Sequence, residues 1–186
     1  KVWDAIPPAA RTAVHEMRIE GDDGTSVLEF SAWRASLAEL AFIVDAAALD
    51  QALADAVRYA PHVERIAAPT ADTADTAAAP LTLLAEGRDS ASRAARGVRM
   101  HRRDYGHRAI AARLVSPQPH AGLARQWFRA PDVLALLPMD QPRAGHGLAL
   151  VWSVPDERAA ELLALPDAAF EAELMQATAG AAGDLR

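Results

Sequence analysis

The sequence predicts an α+β fold, and three observations predict it. Four strand-length apolar segments follow one another in the second half, separated only by turn residues. A charged, alternating stretch near the start reads as a hairpin. Two helical segments close the chain, each after a proline. Strands met in runs, with helices before and after them, give α+β rather than the regular alternation of an α/β protein.

The elements are justified in order. Residues 7–15 predict a short helix, with proline accepted in its first turn. In "EMRIEGDDGTSVLEFSA", Met17 and Ile19 alternate with charges, "DDG" makes the turn and 27–30 return, which predicts a hairpin. "ELAFIVD" is a short strand ending at an acid. In "AAALDQALADAVRYA", Leu49, Leu53 and Val57 recur at helical spacing, and the helix stops before Pro61. "HVERIAA" predicts a strand. "PTADTADTAAAP" predicts a surface loop, and "PLTLLAEG" another strand.

Four further strands are expected at 99–115, 122–129, 133–139 and 147–154. "SPQPHAG", "APD" and "DQPRAGH" lie between them and carry turn chemistry. The expected sheet is antiparallel and meander-like. "DERAAELLAL" and "DAAFEAELMQATAG" predict the closing helices, with Asp156 and Asp167 as cap or first-turn acids.

Composition narrows the function. A chain of 186 residues with 51% hydrophobic residues is globular and can bury a core. A net charge of −6 leaves no footprint for nucleic acid or an anionic membrane. Lys1 is the only lysine. There is no cysteine, which excludes disulfides, thiolate metal sites and cysteine nucleophiles. No apolar run approaches the ~20 residues of a membrane span. The first residue is a lysine without a signal-like start, so a piece of a longer protein is expected.

Motif chemistry is sparse. Glycine-rich dinucleotide and phosphate loops, H-E-x-x-H and G-x-S-x-G are all missing from the sequence. His101 and His107 are expected on one strand, where six positions put them ~20 Å apart; no metal site and no catalytic general base is assigned. "RMHRRDYGHR" is a local basic patch, read as a solvated strand face. The stretch "LLAEGRDSASRAARGV" has more to offer. Gly87 permits a turn closed to other residues, and Ser90 suits the cap of a short helix carrying Arg93. Glu86, Gly87, Ser90 and Arg93 fit a sugar hydroxyl and a phosphate. They fit equally an ordinary strand-to-helix turn.

Taken together, "MRIEGDDGTSVLEFSA", "ELAFIVDAAALDQAL", "LLAEGRDSASRAARGV", "DYGHRAIAARLVSPQPHAGLARQWFRAPDVLALLPMD" and "LALVWSVPDERAAELLALPDAAFEAEL" resemble the middle of the flavoprotein aromatic hydroxylases of ubiquinone biosynthesis. These belong to the para-hydroxybenzoate hydroxylase class of FAD-dependent monooxygenases. The resemblance implies a substrate-side sheet and an incomplete FAD-binding half. Residues 1–98 would be the partial FAD-binding region, and 99–186 the substrate-side sheet with its helices. It also implies that "EGRDSASR" matches the family's D-G-x-x-S-x-x-R motif. Glu86, Gly87, Ser90 and Arg93 would then meet the cofactor's ribose and pyrophosphate. Three departures stand out: Glu86 for aspartate, His107 for a usual glutamine, and Asp45-Ala46-Ala47 where the family often carries a polar Asn-Arg near the flavin.

The activity implied is ring hydroxylation, in which NAD(P)H reduces FAD and oxygen passes to an electron-rich phenol. Gln126 and Phe128, with Leu136 behind them, are the expected substrate-side residues; Phe128 and Leu136 also read as plain core. This chain alone is expected to hold no FAD and to be inactive. The resemblance further implies a cytoplasmic location with peripheral contact at the inner membrane; the surface that would face the missing half is expected to be exposed and to pair two copies as a homodimer. The alternative reading is a free-standing, non-catalytic binding or scaffold domain of the same fold.

Overall fold

The structure is a computed structural model that describes residues 1–65, 80–181, 183 and 185. It falls into two compact units, Lys1–Tyr59 with Gly106–Arg186, and Ala60–Tyr105.

The first unit opens with helix α1 (Val2–Ala5) and a 3₁₀ turn at Pro8–Ala10, followed by strands β1 (Arg11–Val14), β2 (Glu16–Glu20), β3 (Val27–Ser31) and β4 (Ala41–Val44) and helix α2 (Ala46–Arg58). The helix expected at 7–15 is therefore only a proline-led turn. Thr12 and Val14 are β-branched and buried, and they enter β1 because β4 offers an antiparallel partner, Arg11 opposite Val44 and Val14 opposite Ala41. The hairpin forms as expected, with Met17 opposite Phe30 and Ile19 opposite Leu28. Asp23 shapes its turn: its carboxylate accepts from the Thr25 and Ser26 amides and from the Ser26 hydroxyl, which lowers its pKa to about 2.

The later strands are β5 (His107–Val115), β6 (Leu123–Arg129), β7 (Asp132–Met139) and β8 (Gly147–Pro155), followed by helices α4 (Asp156–Leu163) and α5 (Asp167–Ala177). A short helix, α3 (Ala91–Ala95), lies in the second unit. The six-stranded sheet runs β3-β2-β6-β7-β8-β5. All its pairs are antiparallel except β2 with β6, which are parallel. The expected meander is corrected in one respect. β6, β7 and β8 follow in order, but β5 sits at the far edge, paired with β8. There Ile110 and Leu114 stand opposite Trp152 and Leu148 and join the same core.

That core lies on one face of the sheet. Trp127, Leu134, Leu136, Leu150, Trp152 and Val154 meet Ala159 and Leu162 of α4 and Leu174 of α5. Each fully buried aliphatic side chain contributes about 1.5–3 kcal/mol. Asp156 and Asp167 stand in the first turns of α4 and α5, while Pro155 and Pro166 occupy the cap positions. The opposite face of the sheet carries Met17, Ile19, Gln126, Phe128, Ala135 and Val151, by the period of two along each strand.

Three expected strands differ. The strand expected at 99–115 begins only at His107, so His101 and His107 do not share one. Residues 62–65 of "HVERIAA" are not a strand, and the rest of that segment lies outside the described residues, as do 69–79 of the expected loop. "PLTLLAEG" forms no ladder either. Leu81 and Leu83 are exposed, and no described strand pairs with the segment. Apolar, β-favouring residues are a strand only where a partner takes their backbone bonds.

Candidate functional site

The Glu-Gly loop lies in the second unit. Gly87 takes φ +81°, and a Cβ placed there would meet no atom within 4 Å, so glycine is required by the backbone alone. The turn delivers Ser90 to the cap of α3, where its Oγ accepts from the Arg93 amide at 3.1 Å. The same hydroxyl donates to Glu86 Oε2, and Ser92 Oγ donates to Glu86 Oε1 at 2.6 Å. These two hydroxyls hold the Glu86 carboxyl below the ordinary carboxylate range, so it is ionised at neutral pH.

Arg93 turns back over its own loop. Its Nη1 donates to the Gly87 carbonyl at 3.3 Å, and its Nη2 to the Arg88 carbonyl at 2.5 Å. Asp89 accepts from Arg102 at 2.5 Å, which lowers the Asp89 pKa. The four expected cofactor residues, Glu86, Gly87, Ser90 and Arg93, thus converge in one turn.

This arrangement suits a ribose and a phosphate. An ionised carboxylate retains lone pairs for sugar hydroxyls. The open space at Gly87 lets a ligand approach the backbone. A guanidinium has five N–H groups, so Arg93 keeps its charge and free donors while it braces the loop.

The sheet of the first unit places the expected substrate-side residues on two faces. Gln126 pairs with Ala135 and Phe128 with Val133, all on the face away from the core. Phe128 is 45% exposed, and Leu28, Phe30 and Val151 nearby in the sheet order are also exposed. Leu136 is 1% exposed and stands opposite Arg125 on the core face. It therefore supports the sheet from behind Gln126 and Phe128. Trp127 and Arg129 turn to the core side, where the Trp127 indole donates to Glu20 at 3.0 Å and Arg129 donates to the Ala177 carbonyl at 2.8 Å.

One pair was not foreseen. Asp45 caps α2 by accepting from the Ala48 amide, and it also accepts from Arg113 on β5 at 2.5 Å. An acid just before a helical apolar pattern signals the cap. Nothing in the sequence pairs it with a residue 68 positions away. Among the described residues no cluster of three or more His, Asp or Glu could hold a metal ion. No described helix is long and apolar enough to cross a membrane.

The architecture matches a solved structure of a PqsL mutant from P. aeruginosa, with a TM-score of 0.61 and 18% identity, over 100% of this chain and 57% of that one. The fold is thus the para-hydroxybenzoate hydroxylase-like fold, seen in part. Among curated proteins, Ubiquinone hydroxylase UbiL of Rhodospirillum rubrum is 33% identical over 105 residues, covering 56% of this chain and 24% of that protein. The match therefore spans only about a quarter of the length of that relative. No family model matches the sequence.

Proposed function

We propose that the chain is part of an FAD-dependent monooxygenase that hydroxylates an aromatic polyprenyl-phenol precursor of ubiquinone. The observation that carries this reading is the two-sided sheet. One face is sealed by its core, and the other presents Gln126 and Phe128 side by side among exposed apolar residues. The similarity to a protein named a ubiquinone hydroxylase supports the choice of substrate class.

In this reading the open face is one wall of the substrate pocket. Phe128 lies against the aromatic ring. The Gln126 amide can donate to or accept from a phenol. Leu136 holds β7 rigid from the core side. Glu86 takes ribose hydroxyls, Gly87 allows close approach, and Ser90 and Arg93 keep the loop shaped and positive toward phosphate. FAD, reduced by NAD(P)H, would supply the oxygen chemistry. The residues of this chain bind, orient and exclude water. A polyprenyl substrate favours a cytoplasmic enzyme resting at the periphery of the inner membrane, and the exposed apolar face favours a homodimer.

The test is an absorbance spectrum of the purified full-length parent, followed by oxygen consumption with quinone precursors. Flavin bands and precursor-dependent oxygen uptake are expected. A colourless protein without oxygen uptake overturns the reading. A second reading, a non-catalytic binding or scaffold domain of the same fold, draws on one observation: the side chains of Glu86, Ser90 and Arg93 are bonded within their own loop. Bound flavin in the parent would rule that out.

A further inference from the structure

The apolar part of the open face continues past Phe128 and Gln126. Gln126 pairs with Ile19 of β2, and Ile19 pairs with Leu28 of β3, the edge strand of the sheet. A groove of about 360 Å³ lies there, lined by Ile19, Leu28 and Phe128 together with Gly21 and Ser26 of the hairpin turn. Phe128, set against the aromatic ring in the reading above, is therefore also a wall of this groove.

The polar side chains of the lining are already committed. They are Glu20 and Ser26. Glu20 accepts from Arg18 at 2.9 Å and from the Trp127 indole at 3.0 Å, and the Ser26 hydroxyl donates to Asp23 at 2.6 Å. A polar ligand would shed water here without finding an unpaired side chain. A hydrocarbon would gain burial against Leu28, which is 53% exposed, and against the exposed Phe128 ring.

The groove is also preformed. The Asp22 carboxylate accepts from the Ala130 amide at 2.8 Å, which ties the hairpin turn to the β6–β7 turn just beyond Phe128. The Thr25 and Ser26 amides both donate to Asp23 and fix the turn itself. A site shaped in advance costs less to fill. Its far wall stands on an edge strand, so no further described strand obstructs a chain longer than the groove.

We propose that this groove holds the first isoprene units of the prenyl tail of the aromatic precursor, with Ile19 and Leu28 as the residues that select a prenylated ring over a bare one. The inference rests on the hydroxylase reading for the ring, and adds to it where the tail leaves the ring and which side chains grip it. Continuity through Phe128 is what assigns the groove to the tail of the same molecule.

The test is a titration of the methyl-labelled 186-residue chain with geraniol. The Ile19 and Leu28 methyl resonances are expected to move together on one saturable curve, while that of Leu163, an exposed residue of α4, stays still. Leu28→Asp is expected to weaken geraniol about tenfold or more, the burial lost at one apolar side chain. Leu28→Ala is expected to weaken it by a smaller factor, and it decides the matter if Leu28→Asp does not fold. In the full-length parent, the ratio of kcat/KM for a geranylated phenol over its prenyl-free counterpart is expected to fall about tenfold or more in Leu28→Asp. Movement of Ile19, Leu28 and Leu163 alike without saturation, or an affinity unchanged by both variants, overturns the site. Shifts that follow protein concentration rather than geraniol place a second copy in the groove and also overturn it. A flavin-containing parent whose ratio is unchanged by Leu28→Asp removes the tail site and leaves the hydroxylase reading standing. A parent without flavin removes the hydroxylase reading, and the geraniol titration still decides whether the groove takes a prenyl chain.

Discussion

The carboxylate of Asp45 accepts from the Arg113 guanidinium at 2.5 Å while it caps α2. One buried acid therefore ties the β4–α2 junction to the edge strand β5. The amide of Ala48 first, and then Arg113, hold the Asp45 carboxyl below its ordinary value of 3.8.

A group whose folded-state pKa is lowered stabilises the fold above its unfolded value and loses that contribution as pH falls through the folded value. The Asp45 contribution is thus complete at neutral pH and declines below about 3.8. Asp45→Ala should cost about 1–3 kcal/mol, a lost cap and a lost charge-assisted bond. Denaturant melts at pH 7 and at pH 3 check both points. The gap between wild type and Asp45→Ala should narrow at the lower pH, and a gap that widens refutes the assignment.

Leu136 and Phe128 lie on neighbouring strands but on opposite faces, so truncation should separate them. Leu136→Ala removes a side chain that is 1% exposed and should cost about 2–5 kcal/mol. Phe128→Ala removes one that is 45% exposed and should cost well under half of that. Urea midpoints of the two variants decide it. Equal losses would place Phe128 in the core and remove it from the proposed pocket wall.

In the intact parent, Arg93→Ala should weaken FAD retention. A charge-assisted contact is worth roughly 1.5–3 kcal/mol, or about ten- to more than a hundredfold in affinity. The variant also frees the Gly87 and Arg88 carbonyls that Arg93 now holds. Flavin content after gel filtration and the FAD dissociation constant are the readouts. Both unchanged would make Arg93 a structural residue only.

The 186-residue chain by itself should bind no FAD and hydroxylate nothing. A dinucleotide is held chiefly by a glycine-rich turn at a helix N-terminus, and this sequence contains none. The proposed ribose-side loop alone cannot offset the ~4–15 kcal/mol lost in immobilising a ligand. Calorimetry with FAD is the check. A stoichiometric complex of micromolar affinity would mean that the cofactor site is built from other residues.

Local chemistry made several elements legible in the sequence. The alternation around Met17 and Ile19 and the "DDG" turn determine the hairpin, because both its strands and its turn lie within sixteen residues, Glu16–Ser31. The 3.6-residue spacing of Leu49, Leu53 and Val57 determines α2, and the prolines at 155 and 166 determine where the last helices start. The Glu86–Arg93 turn was legible for the same reason: glycine, cap and cation act within a single turn. What only the tertiary structure decided is everything that depends on partners far along the chain. β1 replaces an expected helix because β4 is there to pair with it, and "PLTLLAEG" is no strand because no described strand pairs with it. β5 lies beside β8, Leu136 faces the core while Phe128 faces outward, and Asp45 meets Arg113. A side-chain period of two sorts residues into two faces, but only the helices that pack on one of them decide which face becomes the core and which is left open.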